Sequence, residues 1–185
     1  MAASAYIVLP DELFEVSGGS AFSGELDLPE LKAGPDTLRF DEPLPWNAYI
    51  SNTGEGALLV SGSITGVATI DCARCLEPFE MDLDGELEGW IFLTDPGDDL
   101  PEDMEEDEFV VIDEHHGVDI APFLEAALVL DVPLVPLHDE DCQGLCPQCG
   151  KNLNEGPCDC TTESDPDFEQ ARNPFAALKD FKFEN

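Results

Sequence analysis

Ala57–Leu93 reads ALLVSGSITGVATIDCARCLEPFEMDLDGELEGWIFL, and its two halves decide the fold. In Phe79–Leu93 the residues Phe79, Met81, Leu83, Leu87, Ile91 and Leu93 share one parity, while Glu80, Asp82, Asp84, Glu86 and Glu88 share the other. A period of two puts one face of a strand in a core and its acidic face in water. Upstream, Ala57–Ile70 is β-branched and punctuated by glycine, with Leu58, Val60, Ile64 and Ile70 on one parity. Cys72-Ala-Arg-Cys-Leu-Glu-Pro therefore sits at or beside a hairpin connection. Gly85 and Gly89, on the apolar parity, predict a bulge or a strongly bent strand.

Outward from this hairpin, Phe22–Leu28, Leu38–Phe40, Trp46–Ser51 and Phe109–Ile112 read as shorter strands separated by Pro and Gly. The expected class is α+β, with a β-rich body forming a small curled sheet or partial barrel over residues 1–115. Residues 95–108 form an acidic, solvated loop within it. Next comes an amphipathic helix over Val118–Leu130, with Asp119 as cap and Pro122 in its first turn, stopped by Pro133 and Pro136. The helix and its Pro-rich connection occupy 116–137, a Cys-rich metal module 138–163, and a tail 164–185. In that tail Asn173-Pro174 opens a short helix running to Lys182.

The chain of 185 residues carries 7 Lys+Arg against 42 Asp+Glu, a net charge of −35. Residues 76–150 hold no Lys or Arg at all and 23 acidic side chains, so no phosphate-binding groove can be built there. Anionic membranes would repel the chain, and a basic protein is its electrostatic complement. General adaptation to a salty host is the competing source of such charge. With 43% hydrophobic residues the chain still supports a core. Met1–Pro10 lacks the basic start of a signal peptide, and the longest uncharged stretch, Gly56–Ile70, is 15 residues and rich in Gly, Ser and Thr. A cytoplasmic location is expected, with no membrane and no small-molecule substrate.

Seven cysteines in a reducing compartment point to metal binding over disulfides. In Cys142-x3-Cys146-Pro-Gln-Cys149-Gly, followed by Cys158-Asp-Cys160, the Cys-Pro-x-Cys-Gly turn aims two thiolates at one point. A zinc-knuckle-like module is expected, with Cys146, Cys149, Cys158 and Cys160 holding one structural Zn²⁺ and Cys142 and His138 as alternates. Cys72 and Cys75 form a possible second metal site, a structural pair or a redox dithiol. Their acidic neighbours predict thiol pKa values at or above about 8.5, against redox use. No nucleophile elbow, P-loop or dinucleotide fingerprint is present, and His115-His116 reads as a solvent-exposed pair, so no catalytic residue is assigned.

Gly66-Val-Ala-Thr-Ile-Asp-Cys-Ala-Arg-Cys-Leu-Glu-Pro-Phe79, the long motif from Cys142 to Cys160 and the closing Asn173-Pro-Phe-Ala-Ala-Leu178 together resemble the YceD family, the large ribosomal RNA subunit accumulation proteins of bacteria and plastids. The resemblance covers about residues 55–183. It implies a non-enzymatic role in making or accumulating 23S ribosomal RNA. Many members carry Cys where this chain has His138, which makes that imidazole a more credible ligand.

The charge and the resemblance together favour a ribosome-biogenesis factor acting through a basic ribosomal or assembly protein, with 23S RNA reached indirectly. Glu80, Asp82, Asp84, Glu86 and Glu88 are the expected partner-binding face. A direct ribosomal-RNA binder stacking bases on Trp46 or Trp90 is one alternative. A thiol oxidoreductase using Cys72 and Cys75 is the other.

Overall fold

The computed structural model describes residues 3–54, 56–97 and 109–160. The chain forms two compact units, one ending at Cys142 and one beginning at Gln143. The expected helix of Asn173–Lys182 and residues 98–108 of the acidic loop lie outside the described residues.

In the first unit the predicted hairpin dominates. Its strands, here β6 (Ala57–Asp71) and β7 (Pro78–Phe92), pair antiparallel along all 15 residues of each. The register runs without interruption from Ala57↔Phe92 to Asp71↔Pro78, so the expected bulge at Gly85 and Gly89 does not form. Those glycines serve packing instead. Val60 lies opposite Gly89, Gly62 opposite Leu87, Ile64 opposite Gly85 and Gly66 opposite Leu83, so each branched side chain faces a position with none. A β-carbon at Gly85 would stand 2.7 Å from the Ala127 backbone, and one at Gly89 2.7 Å from the Phe123 ring. The missing side chains let a helix lie directly on the hairpin.

The helix, α1 (Ala121–Asp131), presses Phe123, Leu124, Ala127 and Leu128 into the core. Asp119 acts one position earlier than expected. Its carboxylate accepts from Ala121 N at 3.0 Å and from Ala5 N at 2.8 Å, so it joins the helix start to the N-terminal segment. At the other end Asp131 accepts from the Asp84 backbone N–H at 2.8 Å. The helix is less amphipathic than its spacing suggests, with Ala126 and Leu130 turned to solvent.

Of the remaining strands, β2 (Gly19–Leu26) pairs with β5 (Leu44–Asn52), which pairs with the first half of β6. Strand β4 (Asp36–Arg39) meets β6 further along, at Thr69, and carries β3 (Glu30–Ala33). On the far side β8 (Phe109–Val111) runs parallel to the end of β7. Strands β1 (Tyr6–Val8) and β9 (Gly117–Asp119) form a separate antiparallel pair. The seven-stranded sheet stays open, so the expected curl or partial barrel is not formed. Its apolar face is covered by α1 and by Leu9 and Leu13 from the N-terminal segment, and needs no opposing wall of its own strands. Trp46 is part of that core, 6% exposed, and is unavailable for base stacking.

Candidate metal centres

The hairpin connection is built to gather thiols. Cys72 N donates to Glu77 O and Leu76 N to Cys72 O, both at 2.9 Å, closing a tight turn with Leu76 at φ +61°. Cys72 and Cys75 both point inward, 0% and 3% exposed. The segment after α1 then crosses the tip. Ala73 N donates to Pro136 O at 2.8 Å, and Arg74 Nη1 donates to the carbonyls of Glu140 and Cys142 at 3.1 and 3.0 Å. Arg74 therefore directs its guanidinium at backbone carbonyls of the crossing segment. His138 Nδ1 lies 3.4 Å from Cys75 Sγ, and Cys142 Sγ lies 3.8 Å from Cys72 Sγ. The four donor atoms of Cys72, Cys75, His138 and Cys142 all fall within 4.8 Å of one another.

The second unit holds another such group. Gly150 N donates to Cys146 O at 2.9 Å and Cys146 N to Lys151 O at 2.8 Å, with Gly150 at φ +73°. This is the reversal expected of Cys-Pro-x-Cys-Gly, where only glycine turns without strain. Leu145 bridges Asn152, and the 3-10 turn Leu153–Glu155 returns the chain so that Cys158 Sγ reaches 3.4 Å from Cys146 Sγ. The donor atoms of Cys146, Cys149, Cys158 and Cys160 again lie within 4.8 Å of one another. Neither sulfur–sulfur contact is a disulfide, whose bond is about 2.05 Å.

Each group splits its thiols by acidity. Burial pushes Cys72 up, but the N–H groups of Cys75, His138 and Arg74 outweigh it and hold the thiol at about 5. Burial and the neighbouring Cys72 and Cys142 sulfurs push Cys75 the other way, to about 11. In the second group the N–H groups of Cys149 and Gln148, with the Cys158 thiol, hold Cys146 at about 6. Cys149 first, then burial, push Cys160 to about 12. The expectation of an ordinary or raised pKa thus fails at Cys72, because the turn's backbone donors act where a count of charged neighbours sees nothing. One proton leaves easily and the next is held, which is how clustered thiols behave until a cation takes the excess charge.

Residues 60–182 match the family described as large ribosomal RNA subunit accumulation protein YceD. The chain belongs to the YceD family. The large ribosomal RNA subunit accumulation protein YceD of Haemophilus influenzae is 29% identical over 126 residues, 68% of this chain and 66% of that protein. An uncharacterised protein of Mycobacterium tuberculosis is 34% identical over 118 residues, covering 63% of this chain and 55% of the relative. The chain thus spans about half the length of that mycobacterial relative. A chloroplastic YCED homolog of Arabidopsis thaliana is 35% identical over 46 residues, 25% of this chain and 14% of that protein. No solved structure matches.

The YceD match includes all eight donors of the two groups. The set expected from spacing, Cys146, Cys149, Cys158 and Cys160, is brought together as a unit. The alternates Cys142 and His138 go instead to Cys72 and Cys75, a grouping that sequence spacing missed. A count could have found it, since seven cysteines and His138 make two sets of four. Glu80, Asp82, Asp84, Glu86 and Glu88 are all exposed on one face of β7. Their partners across β6 are Thr69, Val67, Thr65, Ser63 and Ser61, with no cation among them. His115 and His116 are exposed, and His116 packs on Phe14 with ring centroids 4.4 Å apart. Among the described residues no helix is long and apolar enough to cross a membrane.

Proposed function

We propose that this YceD-family chain is a cytoplasmic, non-enzymatic ribosome-biogenesis factor. It supports accumulation of 23S ribosomal RNA by engaging a basic ribosomal or assembly protein, with one structural zinc at Cys146, Cys149, Cys158 and Cys160. The observation that carries the partner reading is the row of five exposed carboxylates on β7, whose cross-strand neighbours on β6 are hydroxyl and aliphatic residues, none of them Lys or Arg. Phosphate is repelled by such a face, whereas a Lys/Arg-rich protein is drawn to it over a screening length of about 8 Å in physiological salt.

A pull-down with the full chain, analysed for both protein and RNA, tests this. Basic proteins should be captured, less as salt rises. Replacing Glu80, Glu86 and Glu88 by Gln with Asp82 and Asp84 by Asn should slow association about tenfold or more at low salt while the fold persists. Tight binding to naked 23S RNA at physiological salt, indifferent to these substitutions, would show the partner to be RNA.

Burial of Trp46 removes one of the two residues on which the base-stacking alternative rests; the other, Trp90 on β7, is half-buried. In favour of the oxidoreductase alternative stand the backbone N–H groups of the turn, which lower the Cys72 thiol. Against it stands burial, since redox exchange needs an accessible thiolate and Cys72 is 0% exposed.

A further inference from the structure

The hairpin tip gathers three thiols and an imidazole from two segments that lie far apart in sequence, and the zinc reading of Cys146–Cys160 leaves all four unused. Packing alone does not account for the group. Buried thiols behave as small apolar side chains, and Cys72, Cys75 and Cys142 are 0%, 3% and 4% exposed. An apolar cluster gains nothing, however, from an exposed imidazole whose Nδ1 stands 3.4 Å from a buried sulfur. The separations fit a coordination sphere. Zinc–sulfur bonds of about 2.3 Å and zinc–nitrogen bonds of about 2.0–2.1 Å, set at tetrahedral angles, place sulfurs about 3.8 Å apart and sulfur and nitrogen about 3.5 Å apart. The observed values are 3.8 Å for Cys72–Cys142 and 3.4 Å for Cys75–His138. Three thiolates and one imidazole are also a donor set that Zn²⁺ prefers over harder cations.

We infer that Cys72, Cys75, His138 and Cys142 form a second tetrahedral zinc centre, which clamps the segment after α1 to the tip of the β6–β7 hairpin. The chain binds two zinc ions through different donors: one centre is all thiolate, the other Cys3His. They differ in reach as well. The ligands of the second-unit centre lie within 15 residues of chain, Cys146 to Cys160, whereas the hairpin centre joins residues 72–75 to 138–142. Ala73 N–Pro136 O and the Arg74 contacts already align the two segments, so the ion locks a preformed crossing. The centre is independent of the ribosomal reading and stands or falls by metal content.

The full chain, purified without chelator, should hold two zinc ions by mass spectrometry and metal analysis. Cys72→Ser with Cys75→Ser should leave one, and so should Cys146→Ser with Cys149→Ser. A fold-preserving variant decides the donor set even if those mutants misfold. In the cobalt-substituted chain, His138→Cys should keep two ions and move one set of d–d bands to longer wavelength as thiolate replaces imidazole. Fewer than two ions in the unaltered chain would overturn the inference. So would two ions with a cobalt spectrum that His138→Cys leaves unchanged.

Discussion

Asp113 shows how much one side chain can organise. Its carboxylate accepts from His115 N at 2.7 Å, Gly117 N at 2.8 Å and Tyr6 Oη at 2.6 Å, shaping the turn before β9 and tying it to β1. The Tyr6 hydroxyl, then the two N–H groups, hold the Asp113 pKa below the ordinary carboxylate range, and the same bond raises Tyr6. A depressed carboxylate binds fewer protons folded than unfolded. Its contribution is therefore present above the ordinary carboxylate pKa and lost as pH falls through the lower folded value. The raised Tyr6 contributes below the ordinary tyrosine pKa and loses its part as pH rises through the folded one. Melting temperature against pH should show Asp113→Asn losing stability at neutral pH and converging on the unaltered chain in acid; parallel curves would dismiss the contact. Asn52 does similar work inside. Its Nδ2 donates to the buried Leu13 carbonyl at 2.8 Å and its Oδ1 accepts from Gly54 N at 2.8 Å. Asn52→Ala should cost about 1–3 kcal/mol in urea denaturation, the penalty of orphaned buried polar groups.

At the scale of elements, the sheet depends on where side chains are missing. Gly85 and Gly89 lie under α1, and a methyl group at either meets protein at 2.7 Å. The obstacle at Gly85 is helix backbone, which cannot give way, while at Gly89 it is the edge of the Phe123 ring. Gly85→Ala should destabilise by about 1–3 kcal/mol, and Gly89→Ala by less because a ring can tilt. Equal costs measured by denaturant unfolding would mean that the helix shifts as a body. A period-two pattern identified the faces of β6 and β7 correctly. It could not tell a glycine that bends a strand from one that admits a helix, since that depends on what lies across the face. Strands of three or four residues are too short to show a period. Strands β4 and β8 were legible only as apolar runs between Pro and Gly, while β1 and β3 were not. Strand β9 falls where the helix was expected to begin, its pairing Ile7↔Val118 spanning the whole unit.

Across the whole molecule the two units differ in what holds them. The first has a continuous apolar core of sheet, helix and N-terminal segment. In residues 143–160 only Gly144 and Cys146 are buried, so that stretch has no apolar core to fold around. On the zinc proposal, metal ligation supplies there what burial does not. A strong chelator should therefore abolish amide protection across 144–160 while the interior pairs of β5, β6 and β7 stay protected. Protection of 144–160 that survives verified metal removal would show the turns to be self-sufficient.

Local pattern alone placed the central hairpin, its acidic outer face, a helix whose first expected residues, Val118 and Asp119, belong instead to β9, and the grouping of Cys146, Cys149, Cys158 and Cys160. Each depends on spacing within a few residues or on a period that the chain repeats. Tertiary structure decided that the sheet stays open beneath a helix, that Trp46 is core, and that His138 and Cys142 meet Cys72 and Cys75. Those outcomes rest on contacts between segments tens of residues apart, where the free energy comes from burying one element on another and no local repeat records the partner.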